Sequence, residues 1–258
     1  MVNQIRHDPI GDHYFSSLRI ADQVSGWLFY LAAVLSFAAL LVDKKEAEVA
    51  YDIVQSLFVL AVIAVFIIGL VIRLYLTPRA EDMRRKDLLS KAFGVPLTHE
   101  QSVGYYNNNQ TAPIRFLGVA YLENSFFSKT VLLKMARRER VKVAIYLVCF
   151  LVAILNRNTD LAFAATAAAA VFSEQILARW FRMEWLRSRC ESTYDNLYTL
   201  FQSSPSAASL QAKILEAATF YETGKANAGI TLSENIFLQI NPTLSTEWER
   251  IKRMLKLD

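Results

Sequence analysis

The chain has 258 residues, of which 53% are hydrophobic and only 20% are charged, and its mean hydropathy is +0.23. This composition is unusual for a soluble chain and indicates that part of the protein lies in an apolar solvent. Glycine (8 residues) and proline (6 residues) are scarce, which excludes collagen-like and disordered classes. The two cysteines, Cys149 and Cys190, have neither disulfide-framework nor zinc-ligand spacing. We therefore expect a mostly helical protein.

Two long apolar runs lie in the first third of the chain. Val24–Val42 and Ile53–Ile72 carry no charged residue, and each matches the ~20 residues that a helix needs to cross a bilayer core. About two dozen residues precede the first run, and no small-residue cleavage motif precedes Asp43. We predict two membrane-spanning helices, the first of which is not a cleaved signal peptide.

Two shorter apolar runs follow later, Val143–Leu155 and Leu161–Ser173, separated by residues 156–160. Each would cover only ~20 Å as a helix. Three interpretations compete: spans lengthened by snorkelling of Arg140 and Lys142, a re-entrant hairpin, or a buried pair in a soluble core. We favour a spanning hairpin in a thin membrane, because hydrophobic mismatch costs little and the flanks are basic.

The distribution of charge predicts the orientation of these runs. Twelve lysines and arginines but only six acidic residues lie between Thr77 and Lys142, and basic residues beside spans stay in the cytoplasm. The net charge of +4 is then explained by membrane orientation, and we expect no direct binding to nucleic acid. The sequence predicts an all-α polytopic membrane protein with two transmembrane hairpins (four helices), cytoplasmic helical segments and both termini in the cytoplasm.

Five segments are predicted along the chain. They are a cytoplasmic N-terminal helix (1–23), a first transmembrane hairpin (24–76), a cytoplasmic helical connector (77–140), a second transmembrane hairpin with a juxtamembrane helix (141–187) and a cytoplasmic helical module (188–258). Helical spacing and cap residues predict helices from about Asp12, over Arg79–Phe93, over Phe116–Arg140, from Ser206 to about Tyr221 and over Ser245–Lys256.

Sequence motifs for catalysis are not found. The chain has no phosphate-binding glycine loop and no nucleophile-elbow or zinc-protease motif. His7–Asp8 and Asp12–His13 have metal-ligand residue types, but a chance surface cluster is the commoner explanation. We expect no enzyme activity, no cofactor and no metal.

A polar loop offers the first candidate site. Tyr105, Tyr106, Asn107 and Asn108 combine two stacking rings with amide donors and acceptors, which suit a nucleobase or another polar ligand. An ordinary turn has the same composition, because Asn and Gly are favoured in turns for backbone reasons. We assign these four residues as tentative ligand contacts.

The second short hairpin offers another candidate site. Glu174 follows the fourth apolar run directly, where a charged group is costly unless it faces protein, water or a partner. It lies either at the inner interface beside Arg179 or in a pore or subunit seam. Ala164 and Ala168 belong to an alanine tract that allows close helix approach, although packing within one chain explains them equally well. We assign these four residues to a tentative pore or seam.

The arrangement resembles a known family. A short N-terminal helix, a helical hairpin, the segments Arg84–Pro96 (RRKDLLSKAFGVP) and Tyr121–Arg140 (YLENSFFSKTVLLKMARRER), a second hairpin and a helical tail are similar to the SMODS-associated four-transmembrane effectors of bacterial antiphage defence. Val95–Pro96 and Glu123–Asn124 stand where that family has other pairs, which leaves a sister family, such as a retron membrane effector, open.

The resemblance implies an abortive-infection effector of the bacterial inner membrane. Such a protein oligomerises and permeabilises the membrane when triggered by a nucleotide signal or a sensor. The implied partners are inner-membrane lipid, further copies of the chain, and either a cyclic oligonucleotide or a cytoplasmic nucleotidyltransferase or reverse transcriptase complex. The alternative is a non-toxic accessory or scaffold subunit of a membrane complex.

Overall fold

The computed structural model describes residues 7–155, 161–203 and 205–257. It is all-helical, with 84% helix, which confirms the predicted class. In chain order the α-helices are α1 (Ser16–Leu41), α2 (Glu48–Val71), α3 (Thr77–Phe93), α4 (Pro113–Leu155), α5 (Leu161–Val171), α6 (Arg179–Gln202), α7 (Ala207–Ala228) and α8 (Glu234–Leu255). Three π-helical turns, Gly11–Phe15, Ile72–Leu76 and Glu174–Ala178, directly precede α1, α3 and α6.

The chain divides into two compact units. Unit 1 contains 1–16, 77–136 and 182–258, and unit 2 contains 17–76 and 137–181. Each π-helical turn lies within a few residues of a point where the chain passes from one unit to the other. The predicted five-segment organisation, including its cytoplasmic assignments, stays a prediction.

Unit 2 contains helices whose apolar side chains face outward. Within the described residues, Gly11–Leu41 and Glu48–Phe93 are each long and apolar enough to cross a membrane, and their most apolar stretches are only 11% and 6% buried. The side chain of Trp27 is 77% exposed and that of Leu60 is 62% exposed. A core helix of a soluble protein would bury such residues. Two long apolar helices are therefore present, as predicted, whereas membrane insertion and the four spans stay predictions.

The two shorter apolar runs adopt different structures. The third run is the end of α4, a continuous helix of 43 residues that begins in unit 1. The fourth run forms the 11-residue α5, and the helix is interrupted at Ser173, whose ψ of 161° is extended. The predicted external turn at 156–160 lies outside the described residues. α5 therefore ends two residues before the apolar run does, and the chain continues as the π-helical turn Glu174–Ala178.

Unit 1 packs five helices around one apolar core. Trp248 of α8 is 1% exposed, and its ring stacks on Phe126 of α4 with 6.2 Å between centroids. Gly118 permits the close approach of α4 to α7, because a Cβ there would lie 2.6 Å from Cδ1 of Ile214. Segments distant in sequence thus complete a single core.

Several helix ends follow the predicted signals. α3 ends at Phe93, and Gly94 takes a positive φ of 67°. Ser206 caps α7 by accepting a hydrogen bond from the Ser209 amide. The predicted end near Tyr221 is wrong, since α7 continues to Ala228 and ends at Gly229 with φ 56°.

The predicted start of the last helix is also wrong. α8 begins at Glu234, eleven residues before Ser245, because Ser233 accepts a hydrogen bond from the Ile236 amide and caps the helix. Pro242 lies inside α8, where it lacks a backbone donor. The apolar positions share one face at spacings of three and four residues, which explains why the helix continues through proline: Ile236, Ile240, Leu244, Trp248, Ile251 and Leu255 are all buried.

A largely buried ionic cluster joins α3 to α7. Lys225 Nζ lies 2.5 Å from Glu81 Oε2 and 3.5 Å from Glu222 Oε2, and the three side chains are 15–20% exposed. Burial raises the pKa of Glu222, although Lys225 opposes the shift. Burial alone would lower the pKa of Lys225, but attraction to the two carboxylates holds it well above its ordinary value. Lys225 therefore stays charged at neutral pH and offsets part of the negative charge of the two carboxylates.

Removing this cation should destabilise unit 1. In Lys225→Met two acidic groups remain in a poorly hydrated site, and we expect the free energy of unfolding to fall by about 2–4 kcal/mol. Hydrogen exchange of the α7 amides in the detergent-solubilised chain measures the change. Lys213→Met is the matched control, since Lys213 is exposed on the same helix. Adding Glu81→Gln to Lys225→Met should restore part of the loss, and equal exchange in both single variants would contradict the prediction.

Candidate functional site

The tyrosine loop, residues 104–109, is organised around Arg84 of α3. The guanidinium binds Asp8 through two hydrogen bonds, 2.8 Å from Nη1 to Oδ1 and 2.7 Å from Nη2 to Oδ2. It also lies over the ring of Tyr105, 4.0 Å from the centroid. Burial alone would lower the pKa of Arg84, but the neighbouring Tyr105 and the hydrogen bonds and charge of Asp8 raise this pKa above its ordinary value. The loop therefore packs against a stable cation of α3 that is already paired with the Asp8 carboxylate.

The second tyrosine has a packing role. Tyr106 lies edge-on to Tyr105 and to Phe116, with centroids 4.9 and 6.3 Å apart, and it packs against the core of unit 1. Its hydroxyl donates to the carbonyl oxygen of Arg84 at 3.5 Å. Burial raises the pKa of this phenol well above its ordinary range. Tyr106 therefore anchors the loop to the core of unit 1.

The amides of the loop also have partners within the chain. Asn107 Nδ2 donates to Glu249 Oε1 at 2.8 Å, and Asn108 Nδ2 donates to the carbonyl oxygen of Phe116 at 2.8 Å. Gln110 donates to the carbonyl oxygen of Leu257 at 2.7 Å. The loop and the adjoining Gln110 are therefore hydrogen-bonded to α4, α8 and Leu257. A ligand would have to replace these contacts.

An N-terminal strap, residues 7–15, lies across the beginning of the same loop. His7 and Val103 exchange both backbone hydrogen bonds, at 3.0 and 2.8 Å. Asp8 accepts from the Gly11 amide as well as from Arg84, and a Cβ at Gly11 would lie 2.6 Å from Asp8 Oδ2. The strap leads directly into α1. It is therefore hydrogen-bonded to Val103, just before the loop, and is covalently continuous with α1.

The candidate pore residues lie in unit 2. α5 carries Ala164 and Ala168, both half-buried, and its Phe163 contacts Phe37 of α1 with ring centroids 5.1 Å apart. Phe172, just beyond α5, contacts Phe150 of α4 at 5.6 Å. α5 is therefore held by aromatic contacts with two neighbouring helices.

Arg179 has a partner that the sequence did not indicate. Its Nη1 and Nη2 donate to the two carboxylate oxygens of Asp22 in α1 at 2.9 and 3.0 Å. One turn away, Gln175 donates to Ser25 Oγ at 3.2 Å, and Ser25 is 1% exposed. We name these two contacts the α1 clamp. It fixes α1 against the start of α6 within unit 2.

Glu174 does not pair with Arg179. It lies 4.0 Å from Arg73 Nη1, and both side chains are more than half exposed. Such a contact contributes little to stability. Glu174 is thus positioned at the edge of the hairpin, and its assignment to a pore or seam stays a prediction, as do those of Ala164, Ala168 and Arg179.

Comparisons with protein-family models, with curated proteins and with solved structures gave no match.

The two tyrosines should differ in their effect on stability. Tyr106→Ala removes a core contact and should lower the free energy of local unfolding of α3 and α4 by about 2–3 kcal/mol. Tyr105→Ala removes the ring that lies over Arg84 and edge-on to Tyr106, and should cost about 0.5–1 kcal/mol. Hydrogen exchange of α3 and α4 amides separates the two variants. A larger loss in Tyr105→Ala than in Tyr106→Ala would reverse the assigned roles.

Proposed function

We propose that this protein is a membrane-embedded effector of a bacterial antiphage system, which permeabilises the inner membrane by an oligomeric rearrangement when a nucleotide signal or a sensor partner acts on it. The observation that carries the proposal is the outward-facing apolar surface of α1 and α2. In water this surface would be strongly unfavourable, because burial is worth about 25 cal/mol per Å² of apolar area. A lipid bilayer removes that cost.

The second hairpin supports a role in rearrangement. α5 has only 11 residues, is rich in alanine and is interrupted at Ser173. A short apolar segment fits the bilayer poorly but at modest cost, and small residues permit new helix contacts. Two packings of such a segment can therefore differ by only a few kcal/mol.

The α1 clamp is suited to holding one of these packings. Hydrogen bonds to charged groups contribute about 1.5–3 kcal/mol each. The Asp22–Arg179 pair has two such bonds and is about three-quarters buried. Under the proposal, the clamp stabilises the resting hairpin, and its release permits Ala164 and Ala168 to form a seam between copies of the chain.

The strap provides a route for the trigger. A nucleotide phosphate has the chemistry to replace the Asp8 carboxylate at Arg84, since guanidinium groups bind both anions through paired hydrogen bonds. A base could stack on Tyr105, whose ring is partly exposed. Displacing Asp8 would loosen the strap that leads into α1. A sensor protein with an acidic segment would act through the same exchange.

The alternative is a non-toxic accessory or scaffold subunit. It uses the same apolar helices as an anchor and the well-packed unit 1 as a docking platform. It requires neither release of the clamp nor any change in membrane permeability, and this difference separates the two functions experimentally.

Labelling of introduced cysteines should establish the orientation. In a Cys149→Ser background, an impermeant maleimide should modify Lys44→Cys in intact spheroplasts and Asn109→Cys only after lysis. Cys190 will stay silent, because it is 1% exposed and burial raises the pKa of its thiol to about 12. Labelling of Asn109→Cys from outside would contradict the proposed topology.

Weakening the clamp should activate the protein without a trigger. We expect Asp22→Asn to increase carboxyfluorescein release from phosphatidylethanolamine and phosphatidylglycerol vesicles that contain the full chain, because losing about 1.5–3 kcal/mol shifts a two-state population roughly 10- to 100-fold. Asp52→Asn, an exposed carboxylate of α2, is the matched control. Asp22→Asn combined with Ala168→Leu should return release to the basal rate, since leucine blocks close helix approach.

Two outcomes would overturn this account. Unchanged release from Asp22→Asn vesicles, with the chain shown to be inserted, would remove the effector function and leave the scaffold alternative. If the Asp22→Asn, Ala168→Leu double variant still releases carboxyfluorescein, the effector function stands, but the alanine face of α5 is not the contact between copies of the chain.

A further inference from the structure

One exposed face of α4 changes from basic to apolar within a single helical turn. Arg137 and Arg138 are exposed. The next positions on that side are exposed apolar residues: Val141 (61%), Ile145 (58%), Val148 (59%) and Val152 (64%). Their spacing of three and four residues places them in one row along the helix. The change occurs over about 4.5 Å of helix axis, the rise of three residues.

Within the described part of the chain, the side chains of these two arginines make no ion pair or hydrogen bond. The nearby Lys142, by contrast, is paired within the chain, since its Nζ lies 2.6 Å from Glu139 Oε2. Side chains of α4 on the other side are buried, as Val143 shows with 3% exposure. The cations therefore belong to the outward face and are available to an external anion.

We infer that Arg137 and Arg138 bind the phosphate groups of anionic phospholipids, with the hydrocarbon of the same leaflet covering the row that begins at Val141. This inference rests on the membrane insertion contained in the proposed function. A bilayer leaflet presents a plane of anions directly above hydrocarbon, which is the order of chemistry along this face. A nucleic acid or an acidic protein surface would match the arginines but would leave the adjacent valines and isoleucine in water.

Arginine suits this position better than lysine. Its planar guanidinium donates paired hydrogen bonds to one phosphate, and its long stem lets the charge reach the headgroup layer while the helix backbone stays deeper. The contact also explains how the short apolar end of α4 can be held at a defined depth. Anionic lipid would therefore set the register of the third apolar run in the membrane.

Competition between two lipids tests the inference. The full chain in detergent is mixed with equal amounts of palmitoyl-oleoyl phosphatidylglycerol and phosphatidylcholine, and native mass spectrometry counts the adducts. We expect phosphatidylglycerol to predominate, with its preference falling about fivefold for each arginine removed in Arg137→Gln and Arg138→Gln. Arg137→Lys and Arg138→Lys should keep most of it. Lys213→Gln with Arg250→Gln, two exposed cations of α7 and α8, is the matched control and should leave the preference unchanged.

Three results would overturn the inference. The wild-type chain could carry equal numbers of adducts of both lipids, or the control variant could lose as much of the phosphatidylglycerol preference as the arginine variants. The third is loss of that preference when inorganic phosphate is added at the same concentration as the lipid. Carbonate extraction of membranes that contain each variant runs in parallel. A chain that resists extraction but lacks lipid preference refutes this inference alone, whereas a chain that is extracted refutes the membrane insertion on which the proposed function depends.

Discussion

The outward-facing apolar side chains of α1 and α2 determine what else this chain must do. Under the proposed function, the helices that expose Trp27 and Leu60 lie in lipid, where every backbone donor and acceptor has to be satisfied within the helix. Polar side chains along these helices then need partners as well. Ser25 and Asp22, on the same side of α1, have them in Gln175 and Arg179. Within the proposed function, the α1 clamp therefore supplies the polar partners that α1 needs in lipid.

Ion pairs join parts of the chain that are far apart in sequence. Arg84 and Asp8 are 76 residues apart, Lys225 and Glu81 are 144 apart, and Arg179 and Asp22 are 157 apart. Removing one member of a desolvated pair leaves an uncompensated charge, so each pair favours one arrangement of helices over its alternatives. The same property makes such pairs suitable points of control, because a competing anion or cation changes the balance directly.

The helical class and many helix positions could be predicted because their signals are local. The end of α3 follows from Gly94, and the start of α7 follows from the cap at Ser206. The start of α8 could also have been found, because Ser233 precedes a row of apolar residues at spacings of three and four. Pro242 and the polar residues around it obscured that row.

The candidate sites were less predictable, because their partners are distant in sequence. Asp8 in a histidine-containing segment resembles a surface residue until the fold places it against Arg84. The tyrosine loop has a composition typical of a turn, and the structure adds that Tyr106 and Asn108 are anchored in unit 1. Glu174 precedes Arg179 by five residues, yet Arg179 donates to Asp22 of α1. Long-range pairing of this kind leaves no periodic pattern.

The discontinuous composition of unit 1 has a consequence for biosynthesis. Its core needs residues from α3 and α4 together with residues from α6, α7 and α8, so the ribosome completes all four apolar runs before it supplies the residues that cover Phe126. At a translation rate of about 5–20 residues per second, the interval from the start of α6 to the end of α8 lasts about 4–15 s. During that interval the apolar face of α4 is open to chaperones, to proteases and to neighbouring nascent chains on the same polysome. Newly made copies would therefore meet one another before the core of unit 1 closes, and the cell's own quality control would determine how many copies complete that core.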